Sequence, residues 1–117
     1  MAPGTADAPD HGDPAGALRH AQAEWGRRHS VLVADALAWA LHVNGRDAEA
    51  LGYASQATAL GERNAVFFFH KGMIERSLGK RDEARGDLSD ALGINPHFSV
   101  LLAPAARAAL AGLGGAA

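Results

Sequence analysis

The residues of this sequence with the widest chemical repertoire are its six histidines, His11, His20, His29, His42, His70 and His97. Imidazole binds transition metals and exchanges protons near neutral pH. Two histidines four residues apart on a helix would share one face and could hold a zinc ion, but no pair here has that spacing. Only His42 and His70 could converge, with Asp35 beside them, if their helices were neighbours. We therefore expect no metal site, and we interpret the histidines as surface residues or pH-dependent polar contacts.

No pattern in the sequence predicts catalysis. It contains no nucleophile-elbow motif, no phosphate-binding glycine loop and no paired acid and base, and without cysteine there is no thiol chemistry. The cations Lys80, Arg81 and Arg85 alternate with acidic residues around one predicted helix start, which is typical of a solvated face. No flanking residue would activate the hydroxyl of any serine among Ser30, Ser55, Ser77, Ser89 and Ser99. We expect no enzyme activity and no cofactor.

Composition bounds the kind of fold that can position these residues. A chain of 117 residues makes one small domain. Its low aromatic content of 6%, beside abundant alanine, favours helices packed through small side chains. The net charge of −2 provides no basic surface for nucleic acid. No apolar run is long enough to span a membrane, and residues 1–16 lack the pattern of a signal peptide. We expect a soluble, cytoplasmic protein, although a fragment of an exported parent would look the same.

The ordered part of the chain is predicted to begin at Asp13. Proline, glycine and aspartate dominate residues 1–12 without apolar periodicity, which predicts a disordered lead-in. Asp13 is a favourable N-cap, and Pro14 suits the first helical position. The apolar residues that follow recur at three- and four-residue steps, which predicts a helix over about 14–27. They are Leu18, Ala21 and Trp25.

An internal repeat organises the rest of the sequence. A glycine followed five residues later by an alanine occurs three times, at Gly12–Ala17, Gly45–Ala50 and Gly79–Ala84. The glycines lie 33 and 34 residues apart. At the second and third segments, the pattern is explained by a helix that ends on a left-handed glycine and by acidic residues that favour the next helix start. Each of these two segments is predicted to be a helix-turn-helix corner.

Helical periodicity flanks both corners. First helices are predicted over about 31–44 and 64–78. Second helices run from the corners to about Leu60 and Leu92, before the helix-stopping Asn95–Pro96. Small residues at the predicted helix crossings would let the backbones approach closely. They are Ala38, Ala50, Ala57, Gly72, Ala84 and Ala91.

These residues resemble the tetratricopeptide repeat, a 34-residue helix-turn-helix unit that stacks into a superhelix. The resemblance covers about Gly12 to Ala111. The sequence departs from the family at Glu62, where a proline usually closes the unit, and at Lys71 and Glu75, where leucine and tyrosine are usual. The positions that match the family's packing pattern are Leu37, Ala38, Ala50, Ala57, Phe68, Gly72, Ala84, Leu88, Ala91 and Pro96.

The resemblance implies an all-α fold of five or six antiparallel helices. Two full repeats would follow an N-terminal half repeat and precede a capping helix. The domain would then span 13–111, and residues 112–117 would form a frayed tail. An interior proline kinks a helix or moves its start. Pro104 therefore predicts a turn or short helix at 98–102, followed by a helix over about 104–111.

The resemblance also implies a function, because the family's first helices line a concave groove that holds a peptide or a helix of another protein. Aromatic, methionine and arginine side chains are favoured at such surfaces. Two alternatives stay open: Trp39 or Phe69 belongs to the core, or the chain's own C-terminal segment covers the groove. The residues expected in the groove are Asp35, Trp39, His42, Phe69, His70, Met73 and Arg76.

The chemistry of the expected partner follows from the same positions. In one subset of the family, two asparagines and several basic residues grip the terminal carboxylate of chaperone tails, and that set is not matched here. Asp35 stands where a cation or a neutral group would be needed. We expect a partner protein with apolar anchors and at least one basic group near Asp35. We expect no nucleic acid or membrane partner.

A competing structural interpretation gives the chain no ligand of its own. The chain would be the terminal cap of a longer repeat array, or a homo-oligomerisation unit, because its first predicted helix has no partner helix before it. A missing helix, or a second copy of the chain, would then cover the apolar edge of that first helix. The edge comprises Leu18, Ala21 and Trp25.

Overall fold

Six α-helices make up the described part of the chain, which covers residues 13–60 and 63–114 of the computed structural model. They are α1 (Pro14–Arg27), α2 (Val31–Val43), α3 (Asp47–Leu60), α4 (Ala65–Ser77), α5 (Arg81–Ile94) and α6 (Leu102–Gly112). Those residues contain no strand, which confirms the all-α fold. Nor is any helix among them both long and apolar enough to cross a membrane. The predicted lead-in at 1–12 and the end of the predicted tail at 115–117 lie outside the described residues.

Short polar side chains determine where three of the helices begin. The Asp13 carboxylate accepts a hydrogen bond from a first-turn amide of α1 at 2.9 Å, and Pro14 occupies the first turn as predicted. Ser30 caps α2 in the same way at 3.2 Å, and Asn64 caps α4 at 2.8 Å. Each cap satisfies an amide that the first helical turn leaves without an intrahelical partner.

Two glycines form the corners that the sequence repeat predicts. Gly45, between α2 and α3, has φ of 78°, and Gly79, between α4 and α5, has φ of 79°. This left-handed conformation costs other L-residues roughly 1–2 kcal/mol. The corners let each helix turn back along the preceding one within a few residues.

The helices pack in consecutive pairs, with a second set of contacts between alternate helices. Each helix contacts the next along the chain, and in addition α2 contacts α4 and α4 contacts α6. α1 also contacts α3 through side chains, since Trp25 meets Tyr53 edge-on with 5.2 Å between ring centroids. The side-chain amide of Asn44, after α2, donates to the Pro14 carbonyl at the start of α1 at 2.9 Å, so these two helices are antiparallel.

Small side chains at the helix crossings account for the close packing. Ala38, Ala50 and Ala57 are completely buried, and so are Ala84 and Ala91, which lie thirty-four residues after Ala50 and Ala57. Leu37 and Leu88 are also buried, whereas Phe68 is half-buried and Pro96 is exposed.

Gly72 lies at another of these crossings, between α4 and α5. A Cβ atom added at Gly72 would lie 2.7 Å from Leu88 Cγ, so α4 and α5 approach as closely as they do because position 72 has no side chain.

The sixth helix begins earlier than predicted. α6 starts at Leu102, and Pro104 lies inside its first turn rather than at its start. A proline in the first turn removes no intrahelical hydrogen bond, so the helix can begin before it. Ser99 Oγ accepts from the Leu102 amide at 3.0 Å and helps to start the helix. At the other end Leu113 is buried, and its carbonyl accepts from Arg85 at 3.0 Å.

A polar cluster lies between α4 and α5, where the family pattern has leucine and tyrosine. Glu75 is only 3% exposed, and Lys71 Nζ lies 3.9 Å from Glu75 Oε2 and 3.5 Å from Asp87 Oδ2. Burial, reinforced by a hydrogen bond to Asp87, raises the pKa of Glu75 to about 8. Burial therefore favours the protonated form of Glu75, whose Oε1 is buried and has no hydrogen-bond partner among the described residues.

Candidate functional site

An open groove of about 650 Å³ lies between α1 and α2, and we call it the α1–α2 groove. One wall of the groove is a single face of α2, and this wall extends along almost the whole helix. Leu32 and Val43, at the two ends of this wall, are 68% and 47% exposed. The α2 wall is formed by Leu32, Val33, Ala36, Trp39, Ala40 and Val43.

The α1 wall is a stripe of residues three or four positions apart, the spacing that places side chains on one helix face. Glu24, at one end of the stripe, is bonded to Arg27 and Arg28. These hydrogen bonds, that of Arg27 first, hold the pKa of Glu24 below its usual range. The stripe consists of Pro14, Ala17, His20, Ala21 and Glu24.

A histidine–carboxylate pair joins the groove to α4. His70 Nδ1, on α4, lies 2.8 Å from Asp35 Oδ1 on α2, and both residues line the α1–α2 groove. The His70 ring stacks on Trp39, with 4.3 Å between ring centroids and 25° between ring planes. Asp35 is only 8% exposed, so its burial requires this partner. The pair supplies hydrogen-bonding groups within a surface that is mostly apolar.

The described lining of the groove contains few types of reactive side chain. A histidine held by a carboxylate is the arrangement of a general base. However, none of the described residues that line the groove carries a hydroxyl or a thiol. The described residues also contain no cluster of three or more histidine, aspartate or glutamate side chains able to hold a metal ion. Asp35 and His70 offer hydrogen-bonding groups at the surface of the groove.

His42 and His70, the two histidines that the sequence allowed to converge, bind different carboxylates. His42 Nδ1 lies 2.5 Å from Asp47 Oδ1 at the start of α3. Its ring contacts Trp39 with 4.7 Å between ring centroids. His42 therefore supports the indole ring next to the groove without lining the groove itself.

The second-repeat half of the predicted groove is largely covered by the chain's own C-terminal segment. Phe69 is 2% exposed, lies in the core and contacts Phe98 with 5.9 Å between ring centroids. Met73 packs against the same core cluster, which includes Ala106 of α6. Arg76 is exposed near the end of α4 but does not line the groove. Phe69 is therefore a core residue because Phe98 and α6 pack over this face of α4.

The structure brings together three of the seven residues expected in a binding groove, and it adds a wall that the sequence analysis did not include. Asp35, Trp39 and His70 line the groove together. The α1 wall was missed because the family resemblance directs attention to first helices. Its signal was present in the sequence as the regular spacing of Ala17, Ala21 and Glu24 along a predicted helix.

Comparison with known proteins does not indicate a function for the chain. The chain matches no protein-family model, and no curated protein or solved structure is significantly similar to it. What is established is an all-α chain whose helices pack in consecutive pairs and leave one side of α1 and α2 open. Its function has to be inferred from the α1–α2 groove.

Proposed function

We propose that the chain is a non-catalytic protein–protein interaction module that binds a peptide or helix of a partner protein in the α1–α2 groove. The observation that carries the proposal is the groove itself, with a volume of about 650 Å³ and mostly apolar walls. Concave apolar sites with a few convergent polar groups are the usual form of a binding site. Asp35 and His70 provide those polar groups here.

Exposed apolar side chains at both ends of the groove support this proposal. Leu32 and Val43 lie on the same face of α2, eleven residues apart, and both expose much of their surface. Contiguous exposed apolar surface commonly marks a protein interaction site. Trp39 lies between them and contributes a large aromatic contact area, as the residues that dominate binding energy often do.

The proposal keeps the binding class that the tetratricopeptide resemblance implies but moves the site. We infer that the two glycine corners and the buried alanines belong to a repeat of that kind, because they recur thirty-four residues apart. The site lies towards the N-terminal end of the helix series because Phe98 and α6 cover the corresponding part of α4. Asp35, Trp39 and His70 remain the residues proposed to contact the partner.

A cross-linked pull-down from the source cell's extract tests the proposal. The groove variant is Leu32→Asp/Val43→Asp, which places two charges on the α2 wall. Its matched control is Leu60→Asp/Val100→Asp, which changes the same residue types at exposed positions outside the groove. After circular dichroism has confirmed folding, we expect the wild type and the control to capture the same protein and the groove variant to lose it. Equal capture by all three proteins would contradict the proposal.

A second candidate function is structural: the chain is the terminal unit of a longer helical array, or a unit of self-association. The observation that favours it is the open side of α1 and α2, with Leu32 and Val43 exposed on it. The expected apolar edge of α1 is not that surface, because Leu18 and Ala21 are buried and Trp25 packs against Tyr53 of α3. Sedimentation equilibrium distinguishes the two functions. A dimer that dissociates in the Leu32→Asp/Val43→Asp variant would support self-association through the groove, whereas a monomer at all concentrations would count against it.

A further inference from the structure

The order of helix contacts indicates what shape of ligand fits the α1–α2 groove. α2 packs against the helix that follows it, α3, and against the next alternate helix, α4. α4 in turn packs against α5 and α6. A helix lying in the groove would contact α1 and α2, and so would repeat the same relation one step earlier in the series. The groove therefore lies where a helix preceding α1 would pack if the series continued in that direction.

The small side chains of both walls favour a helix over an extended peptide. Ala17 and Ala21 of α1 face the groove from one side, and Ala36 and Ala40 of α2 from the other. Alanine walls allow a helix backbone to approach closely, but they offer no partners for the backbone amides and carbonyls of an extended chain. A helix satisfies its own backbone groups.

The dimensions and direction of the groove define the helix further. The α2 wall runs over eleven residue steps, from Leu32 to Val43, which is about 16 Å, or three helical turns. Alternate helices run in the same direction when consecutive helices are antiparallel. A ligand helix that continues the series is therefore parallel to α2. Its N-terminus lies beside Leu32 and its C-terminus beside Val43.

Charge defines the side chain at the centre of the ligand helix. The described residues that line the groove include the acids Glu24 and Asp35 and neither lysine nor arginine. Glu24 is already bonded to Arg27 and Arg28. Asp35 shares one oxygen with His70 Nδ1, and an ionised carboxylate has a second oxygen that can accept from another donor. A lysine or arginine on the ligand complements this group.

We infer that the α1–α2 groove takes one amphipathic α-helix of another protein, parallel to α2, with a small or aliphatic apolar face and a basic side chain that binds Asp35. This inference rests on the proposed function and deepens it by naming the form, direction and charge of the ligand.

Synthetic peptides of thirteen residues test the form and charge of the ligand. The probe is a lactam-bridged helix with alanine and leucine on one face and a single central lysine, labelled for fluorescence anisotropy. One sister peptide carries glutamate in place of the lysine, and another carries two central prolines. We expect the lysine peptide to bind the full chain at least about tenfold more tightly than the glutamate peptide. The proline peptide is expected not to bind.

Two variants of the chain assign these differences to Asp35. Asp35→Asn is expected to remove most of the preference for lysine over glutamate. Ala36→Lys, at an exposed position of the groove, is expected to reverse the preference, and it provides the same test if the asparagine variant folds poorly. Equal binding of the lysine and glutamate peptides to the wild type, or tight binding of the proline peptide, would overturn the inference.

Disulfide trapping tests the direction of the helix, because the chain contains no cysteine of its own. A peptide with an N-terminal cysteine is expected to cross-link to Leu32→Cys, and one with a C-terminal cysteine to Val43→Cys. The opposite pairing would refute the parallel arrangement. If the pull-down depends on the groove but no helical peptide binds, this inference fails and the proposed function stands. If neither experiment shows dependence on the groove, both fail.

Discussion

Replacing Glu75 by glutamine is expected to stabilise the protein by an amount that grows with pH. Burial and the hydrogen bond to Asp87 raise the pKa of Glu75 from 4.5 to about 8 on folding. Between these values the folded protein holds a proton that the unfolded chain has lost, so the free energy of unfolding falls as the pH rises. Protonated Glu75 contributes its full stabilisation below pH 4.5, the pKa in the unfolded chain. This contribution is lost as the pH rises through about 8, the pKa in the folded protein.

The magnitude follows from that difference in pKa. The free energy of unfolding falls by about 1.4 kcal/mol for each pH unit in this range. The wild type therefore loses about 3 kcal/mol between the unfolded pKa and neutral pH. Glutamine has no such proton to lose, has nearly the same volume, and can still donate to Asp87 through its amide nitrogen. Glu75→Gln is expected to match the wild type under mildly acidic conditions and to be about 3 kcal/mol more stable at neutral pH.

Urea unfolding followed by circular dichroism, repeated at acidic, neutral and alkaline pH, measures this difference. The control is Glu83→Gln, because Glu83 is an exposed carboxyl of α5 near the same cluster. We expect the control to change the free energy of unfolding by less than about 0.5 kcal/mol. A Glu75→Gln effect that is constant with pH would refute the reasoning. So would a loss of stability at neutral pH, because Glu75 would then be ionised in the folded protein.

Further substitutions test the helix packing and the extent of the groove. Gly72→Ala places a Cβ against Leu88 and is expected to lower the free energy of unfolding by about 1–3 kcal/mol. Gly52→Ala, at a helical position with open space around it, is expected to raise the free energy of unfolding by about 1 kcal/mol. In urea unfolding, the midpoint of Gly72→Ala should therefore lie below that of the wild type and the midpoint of Gly52→Ala above it. Phe69→Ala is expected to cost about 3–5 kcal/mol in thermal or urea unfolding. A cost below about 1 kcal/mol would mean that Phe98 does not bury Phe69.

The parts of the fold that the sequence predicts well depend on local chemistry. Asp13 and Pro14 specify the start of α1 through a cap and a fixed φ, and both act within one helical turn. Gly45 and Gly79 specify the corners because the left-handed conformation favours glycine at each. These signals do not depend on how distant helices pack.

The parts that the sequence did not predict depend on packing between distant residues. Nothing in the neighbourhood of Phe69 indicates that Phe98, in the segment before α6, covers it. The start of α6 before Pro104 depends on Ser99 and on packing against α5 and α4. For the site, helical spacing grouped Asp35 and Trp39 correctly on one face. The second wall required knowledge of how α1 lies against α2.

The two ends of the alternate-helix series differ, and this difference is the physical basis for placing the proposed site at the N-terminal end. At the C-terminal end, α6 packs on α4, and Phe69 is buried. At the N-terminal end, Leu32 and Val43 remain exposed beside α1. Burial of apolar surface contributes roughly 25 cal/mol per Å², so a ligand gains most where such surface is still open. A partner helix in the α1–α2 groove would cover α2 as α6 covers α4.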